Sequence, residues 1–230
     1  VSKHSLLTVP RAAAIPAAER RAQAVGALLL LARETAPEQI STAAIAERMG
    51  VSHGALFRHF RSREAIWAET VSWATAELER RFVAISQAAM LQTDPGPRGH
   101  RSLEEVIELL ACHAAMLQEH PGLVRMLFAE LQRPATSPAR ETGKAFMQRF
   151  RQRLALAIGR AQAGGELDAD LDPADLASLL VATQQGLMLQ ALVHDGFATL
   201  VERSRHSIAL LLRACRRLPP QGAPARAPGA

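Results

Sequence analysis

The stretch ISTAAIAERMGVSHGALFRHF, residues 40–60, decides the fold of this chain. It holds two short helical patterns, Thr42 to Met49 and His53 to His59, split by Gly50-Val51-Ser52. Helices this short are marginal alone and must pack on a neighbour. Ala46 is the small residue that two crossing helices need. Gly50 can leave the first helix in a left-handed conformation at no steric cost, and Ser52 is placed to cap the second. Ile45, Met49, Val51 and Leu56 then turn apolar side chains towards a third helix. This spacing is that of a helix-turn-helix.

The third helix lies upstream, over Ala17 to Arg33, where Val25, Leu28, Leu29 and Ala32 recur at helical spacing and Pro37 follows as a stop. Downstream, Ser62 caps a long helix that keeps Trp67, Val71, Ala74, Leu78, Phe82 and Ile85 on one face. Asp94-Pro95-Gly96-Pro97 breaks the chain. Ser102 to Glu105 has the form of a capping box for a helix reaching Glu119. Further helices are predicted from Pro121 to Gln132, from Pro138, capped by Ser137, to Ala163, and from Pro173, capped by Asp172, to His194. Gly164-Gly165 and Asp195-Gly196 punctuate them, and Phe197 to Arg217 forms the last. The expectation is an all-α chain of about nine helices: an N-terminal three-helix helix-turn-helix domain followed by a helical ligand-binding and dimerisation domain. The expected divisions are a flexible arm (1–16), the DNA-binding domain (17–62), the sensing domain (63–217) and a disordered tail (218–230).

Composition agrees. The 230 residues are 48% hydrophobic, which excludes global disorder, and the absence of Tyr with few β-branched runs disfavours a sheet. The 27 basic against 22 acidic residues leave a formal +5, compatible with a polyanionic partner. Cys112 and Cys215 match no metal spacing and are expected as reduced thiols. Val1 to Pro16 lacks a secretory pattern, and apolar stretches such as Ala27 to Ala32 are too short for a bilayer, so a soluble cytoplasmic protein without membrane partners is expected. No His-Glu-x-x-His, Gly-x-Ser-x-Gly or phosphate-cradling glycine loop occurs. Asp168, Asp170, Asp172 and Asp175 are interrupted by Leu171 and Pro173, which suits caps and turns rather than a calcium loop. Neither enzymatic chemistry, a metal nor a cofactor is expected.

The runs Ile45 to Ser52, Gly54 to Phe60 and Ser62 to Ile66 resemble the DNA-binding region of the tetracycline-repressor (TetR) family of bacterial regulators, over about residues 17–70. In a helix-turn-helix the start of the second helix faces base edges, which nominates Ser52, His53, Gly54 and Ala55. Gly54 allows close backbone approach, and His53 can donate to guanine O6 or N7. Phosphate contacts are expected from Thr42, His59 and Arg63, with Arg58 and Arg61 adding positive field. The family usually has Tyr where Phe57 stands, so any contribution there is apolar; Phe60 is expected in the core. The resemblance implies repression relieved by a ligand, with the long helix after Ser62 as lever.

The last two helices are rich in leucine, and a twofold mate would complete a four-helix bundle. Leu176, Leu180, Leu187, Ile208, Leu211 and Leu212 are the expected dimer interface. A palindromic double-stranded DNA operator, a homodimeric mate and a small apolar or amphipathic effector are thus the expected partners. Candidate effector contacts are Trp73, Cys112, His113, Met116, Met126, Phe128, Met147, Phe150, Gln184 and Met188, adaptable apolar groups with a few polar ones. Gln184 stands out because an amide on an apolar helix needs a partner.

Overall fold

Proline and capping signals set most of the helix boundaries. The computed structural model describes residues 15–91, 101–133, 135–194 and 196–216. In order these form α1 (Ala17–Glu34), a 3₁₀ turn (Pro37–Gln39), α2 (Thr42–Arg48), α3 (His53–Phe57), α4 (Arg63–Leu91), α5 (Arg101–Glu119), α6 (Pro121–Leu131), α7 (Pro138–Ala163), α8 (Pro173–Val193), a second 3₁₀ turn (Phe197–Thr199) and α9 (Leu200–Ala214). Among the described residues there is no strand, and the fold is all-α. The expected arm, apart from Ile15 and Pro16, the tail and the Asp94 to Pro97 break lie outside the described residues.

Ser137 caps α7 by accepting from the Arg140 amide at 3.1 Å, and Asp172 caps α8 by accepting from Ala174 at 2.7 Å. The acidic turn is built the same way, with Asp168 Oδ1 accepting from the Asp170 amide. The capping box at Ser102 does not form. Glu105 is buried and its two oxygens accept from Arg160 Nη2, both at 2.8 Å, while the Ser102 amide donates to Glu166. A guanidinium across the bundle outcompetes a local amide because a buried carboxylate needs a full counter-charge.

One apolar core runs from Ala24 on α1 to Leu212 on α9. α1 packs on α2, α4 and α6; α4 continues against α5 and α7; α5 lies along α9, and α7 along α8. One close contact is at Gly122, where a Cβ would stand 2.7 Å from the Leu29 carbonyl oxygen and 3.0 Å from the Ala32 Cβ. Here α6 and α1 meet almost backbone to backbone.

The leucines of α8 and α9 need a correction. Leu176, Leu180, Leu187, Ile208 and Leu212 are buried within the single chain and Leu211 is partly buried, so they belong to its own core rather than to an open interface. What α8 leaves open is another stripe: Leu179, Ala182, Gly186, Leu189 and Val193, alternating by three and four residues, with the three large side chains 50%, 46% and 65% exposed. Because α8 is apolar on nearly every side, its sequence pattern does not single out the inward face. By length and composition α8 could also cross a membrane, contrary to expectation: Ser178, Thr183, Gln184 and Gln185 interrupt its apolar run without adding charge. Here it is a bundle helix, packed on α7 and α9.

Replacing Gly122 tests the close approach. In an ordinary helix Gly→Ala stabilises by about 0.5–1 kcal/mol. Gly122→Ala is expected instead to lower stability by about 1–3 kcal/mol through overpacking, measured by urea unfolding followed by circular dichroism. A raised midpoint would show that the two helices do not meet this closely.

Candidate nucleic-acid interface and effector core

The helix-turn-helix is assembled as its residues demand. Ser41 caps α2, its hydroxyl accepting from the Ala44 amide at 3.1 Å. Gly50 takes φ +66°, and the Val51 amide donates to the Ala46 carbonyl at 3.0 Å to close the turn. Ser52 caps α3 by accepting from the Ala55 amide at 3.2 Å. Ile45, Ala46, Leu56 and Phe60 are buried in the core they share with Leu28 of α1.

That packing leaves Ser52, His53, Gly54, Phe57 and Arg58 exposed, and Thr42, Ala55, His59 and Arg63 half-buried. Apart from its chain neighbours and its own helix backbone, a Cβ at Gly54 would meet no atom of the described residues within 4 Å, so no packing contact among them requires glycine there. Thr42 and His53 come together: Thr42 Oγ1 and His53 Nε2 are 2.8 Å apart. The Phe57 ring stands edge-on to the imidazole at 4.6 Å. Arg63 is turned inward. Its Nη1 donates to the carbonyls of Glu38 and Ile40 at 3.0 and 3.2 Å, and the guanidinium lies 5.4 Å from the Trp67 ring centre. It thereby ties the segment leading into α2 to the first turn of α4. Ser41 and the inward Arg63 were both missed by sequence reasoning; a serine directly before Thr42 was a readable signal, whereas the Arg63 contacts depend on chain crossing.

The expected effector residues divide. His113, Met116, Met126, Phe150, Gln184 and Met188 are buried, while Trp73, Cys112 and Met147 are half-buried against the same core. His113 stacks on Phe150 at 5.3 Å, and two rings not anticipated as effector contacts complete the slab: Phe82, 4.8 Å from Phe150, and Phe146. Phe146 precedes Phe150 by one helical turn, a spacing the sequence did offer. Trp73 instead packs edge-on against His120 at 5.3 Å. Gln184 finds its partner inside the chain, its Oε1 accepting from Ser204 Oγ at 2.6 Å, but its Nε2 and His113 Nδ1 are buried without a hydrogen bond. Burial pushes His113 down to about 4, so the ring is neutral. Phe128 stands apart, in a cleft of about 340 Å³ shared with Pro37, Arg125 and Leu192. A larger groove of about 850 Å³ opens between α8 and α9, lined by Thr183, Gly186, Gln190, Glu202, Arg203 and His206 among others.

Residues 27–70 match the family model described as bacterial regulatory proteins, tetR family, and residues 129–208 match the tetracyclin repressor-like C-terminal domain. The chain belongs to the TetR family. It is thus a DNA-binding transcription regulator by family and not an enzyme. Among relatives, the nucleoid occlusion factor SlmA of Marinomonas sp. (strain MWYL1) is 26% identical over 168 residues, 73% of this chain and 80% of that one. SlmA of Pasteurella multocida (strain Pm70) is 30% identical over 110 residues, 47% of this chain and 50% of that one. The TetR-family fold recurs in FadR of Bacillus subtilis in complex with stearoyl-CoA, with TM-score 0.65 and 17% identity over 83% of this chain and 96% of that one. It recurs also in a regulator of Saccharomonospora viridis in complex with choline, with TM-score 0.68 and 22% identity over 85% and 96%.

The buried imidazole makes a pH prediction. His113 is held below its ordinary value of 6.5, so protons bind the unfolded chain more readily. Its contribution to stability is complete above that ordinary value and is lost as pH falls towards the depressed one. Between pH 7 and pH 5 this residue is expected to cost about 2 kcal/mol, a slope that His113→Leu removes in urea titrations at the two pH values. Identical slopes in both proteins would mean that His113 is not desolvated.

Proposed function

We propose that this chain is a cytoplasmic homodimeric regulator that occupies a palindromic operator and is released when an uncharged, largely apolar effector enters its helical core. The observation that carries the DNA-binding half is the exposed leading edge of α3. His53 and Gly54 stand free of the packed three-helix core, with open room beside Gly54. Within this reading, residues 17–62 read DNA and residues 63–217 sense and dimerise. Ser52, His53, Gly54 and Ala55 face base edges, and Thr42, His59 and Arg58 face the backbone. Phe57 braces His53 rather than meeting a phosphate. Arg63 serves by holding the entry to α2 in place.

The effector half rests on the aromatic slab. Phe82, Phe146, Phe150 and His113 form a neutral apolar centre with an unused hydrogen-bonding atom at His113 Nδ1, and Gln184 Nε2 on α8 is a second buried atom without a hydrogen bond. Buried polar atoms without partners are costly, and a ligand supplying one would offset that cost. Met116, Met126 and Met188 are adaptable enough to make room. A ligand favouring one spacing of the two recognition helices then shifts the population away from the DNA-competent state.

The open stripe on α8 supports the dimer reading. Residues Leu179, Ala182, Gly186, Leu189 and Val193 repeat as a two-helix seam does, and Gly186 and Ala182 permit close approach. One α3 reads few base pairs, and a twofold mate doubles the contact. A second reading, a nucleoid occlusion factor as the SlmA relatives are named, is favoured by the Marinomonas match running over 168 residues. Mapping bound fragments genome-wide separates the two: few sites near regulated genes, or many dispersed ones.

Fluorescence anisotropy with the DNA upstream of the chain's own gene, at two salt concentrations and against scrambled competitor, tests the central reading. Saturable, salt-sensitive binding at two protomers per site, or a multiple, is expected. Leu189→Lys is expected to halve the mass in analytical ultracentrifugation and to abolish tight operator binding. A Leu189→Lys protein that remains dimeric would exclude this stripe as the interface.

A further inference from the structure

We propose that Thr42 and His53 work as one reading unit, Thr42 being a positioning residue that orients the His53 imidazole for a base edge. The inference rests on the DNA-binding reading of this surface and assigns a role that family membership leaves open. The hydrogen bond between Thr42 Oγ1 and His53 Nε2, 2.8 Å long, joins the first residue of α2 to the first residue of α3. The Phe57 ring also packs edge-on against the imidazole, 4.6 Å between centroids and 88° between planes. Held by both contacts, with Nε2 engaged, the ring turns its Nδ1 edge away from Thr42.

The neighbours leave that edge little competition. Gly54 has no side chain, Ala55 offers only a methyl group, and the Ser52 oxygen is engaged in capping α3. A threonine hydroxyl has one proton to give and two lone pairs to receive. Beside a DNA phosphate it can accept from His53 Nε2–H while donating its own proton to a phosphate oxygen. The reverse polarity would aim a lone pair at the anion. Docking on the backbone and aiming the base-reading ring therefore become one event, and His53 discriminates only when Thr42 holds it.

The test uses the full chain and duplexes it selects from a randomised pool. His53→Ala is expected to lose about tenfold discrimination at one base pair of each half-site. Thr42→Val, nearly isosteric and without the hydroxyl, is expected to lose discrimination at that same base pair. The double variant loses no more than either single one, and Thr42→Ser restores wild-type selectivity. The unit is overturned if Thr42→Val weakens selected and scrambled duplexes alike, keeps the base preference, and adds its loss to that of His53→Ala. Enrichment of no sequence by the wild-type chain would remove the DNA-reading assignment itself, and this inference with it.

Discussion

The near-contact of two backbones at Gly122 is the constraint on which the arrangement depends. With only hydrogen atoms between α6 and the Leu29–Ala32 segment of α1, there is no side-chain cushion to absorb a shift. Close-packed interiors transmit displacement rather than compress. α1 in turn carries α2, while Arg63 holds the carbonyls of Glu38 and Ile40 beside it. The exposed edge of α3 is thus fastened to the helical bundle along two routes: the continuous helix α4 and the α6–α1 contact.

Inside the bundle, ring stacking and ion pairs divide the labour. Phe82, Phe146, Phe150 and His113 join α4, α5 and α7 in a slab whose only titratable member is neutral. At the margins ion pairs join neighbouring helices: Glu79 meets Arg149 and Arg153 between α4 and α7, and Glu108 meets Arg205 between α5 and α9. Partly exposed pairs of this kind contribute about 1 kcal/mol or less each, so they orient helices more than they stabilise them. Glu105 with Arg160 differs, because the carboxylate is buried and losing the guanidinium would strand its charge.

Much of this was legible in the residues. Proline after a capping side chain marked the starts of α7 and α8 to the residue, and Gly50 with Ser52 marked the helix-turn-helix. Of the candidate base-reading positions, Ser52, His53 and Gly54 emerged exposed and Ala55 half-buried, since the apolar residues around them take the inward face. Less readable were features that depend on crossing geometry. Glu105 looked like a capping partner until α7 brought Arg160 within reach, and Thr42 looked free for phosphate until the turn swung His53 onto it.

The sequence by itself determined the helices, most of their ends and the motif, because propensity, capping and periodicity act over a few neighbouring residues; the start of the last helix fell three residues late, after a 3₁₀ turn over Phe197–Thr199. Only the tertiary structure decided which leucines of α8 turn inward, where Arg63 spends its hydrogen bonds, and why Gly122 cannot carry a side chain. Those choices involve residues twenty to ninety or so positions apart, and a uniformly apolar helix carries no local sign of which side its neighbours will cover.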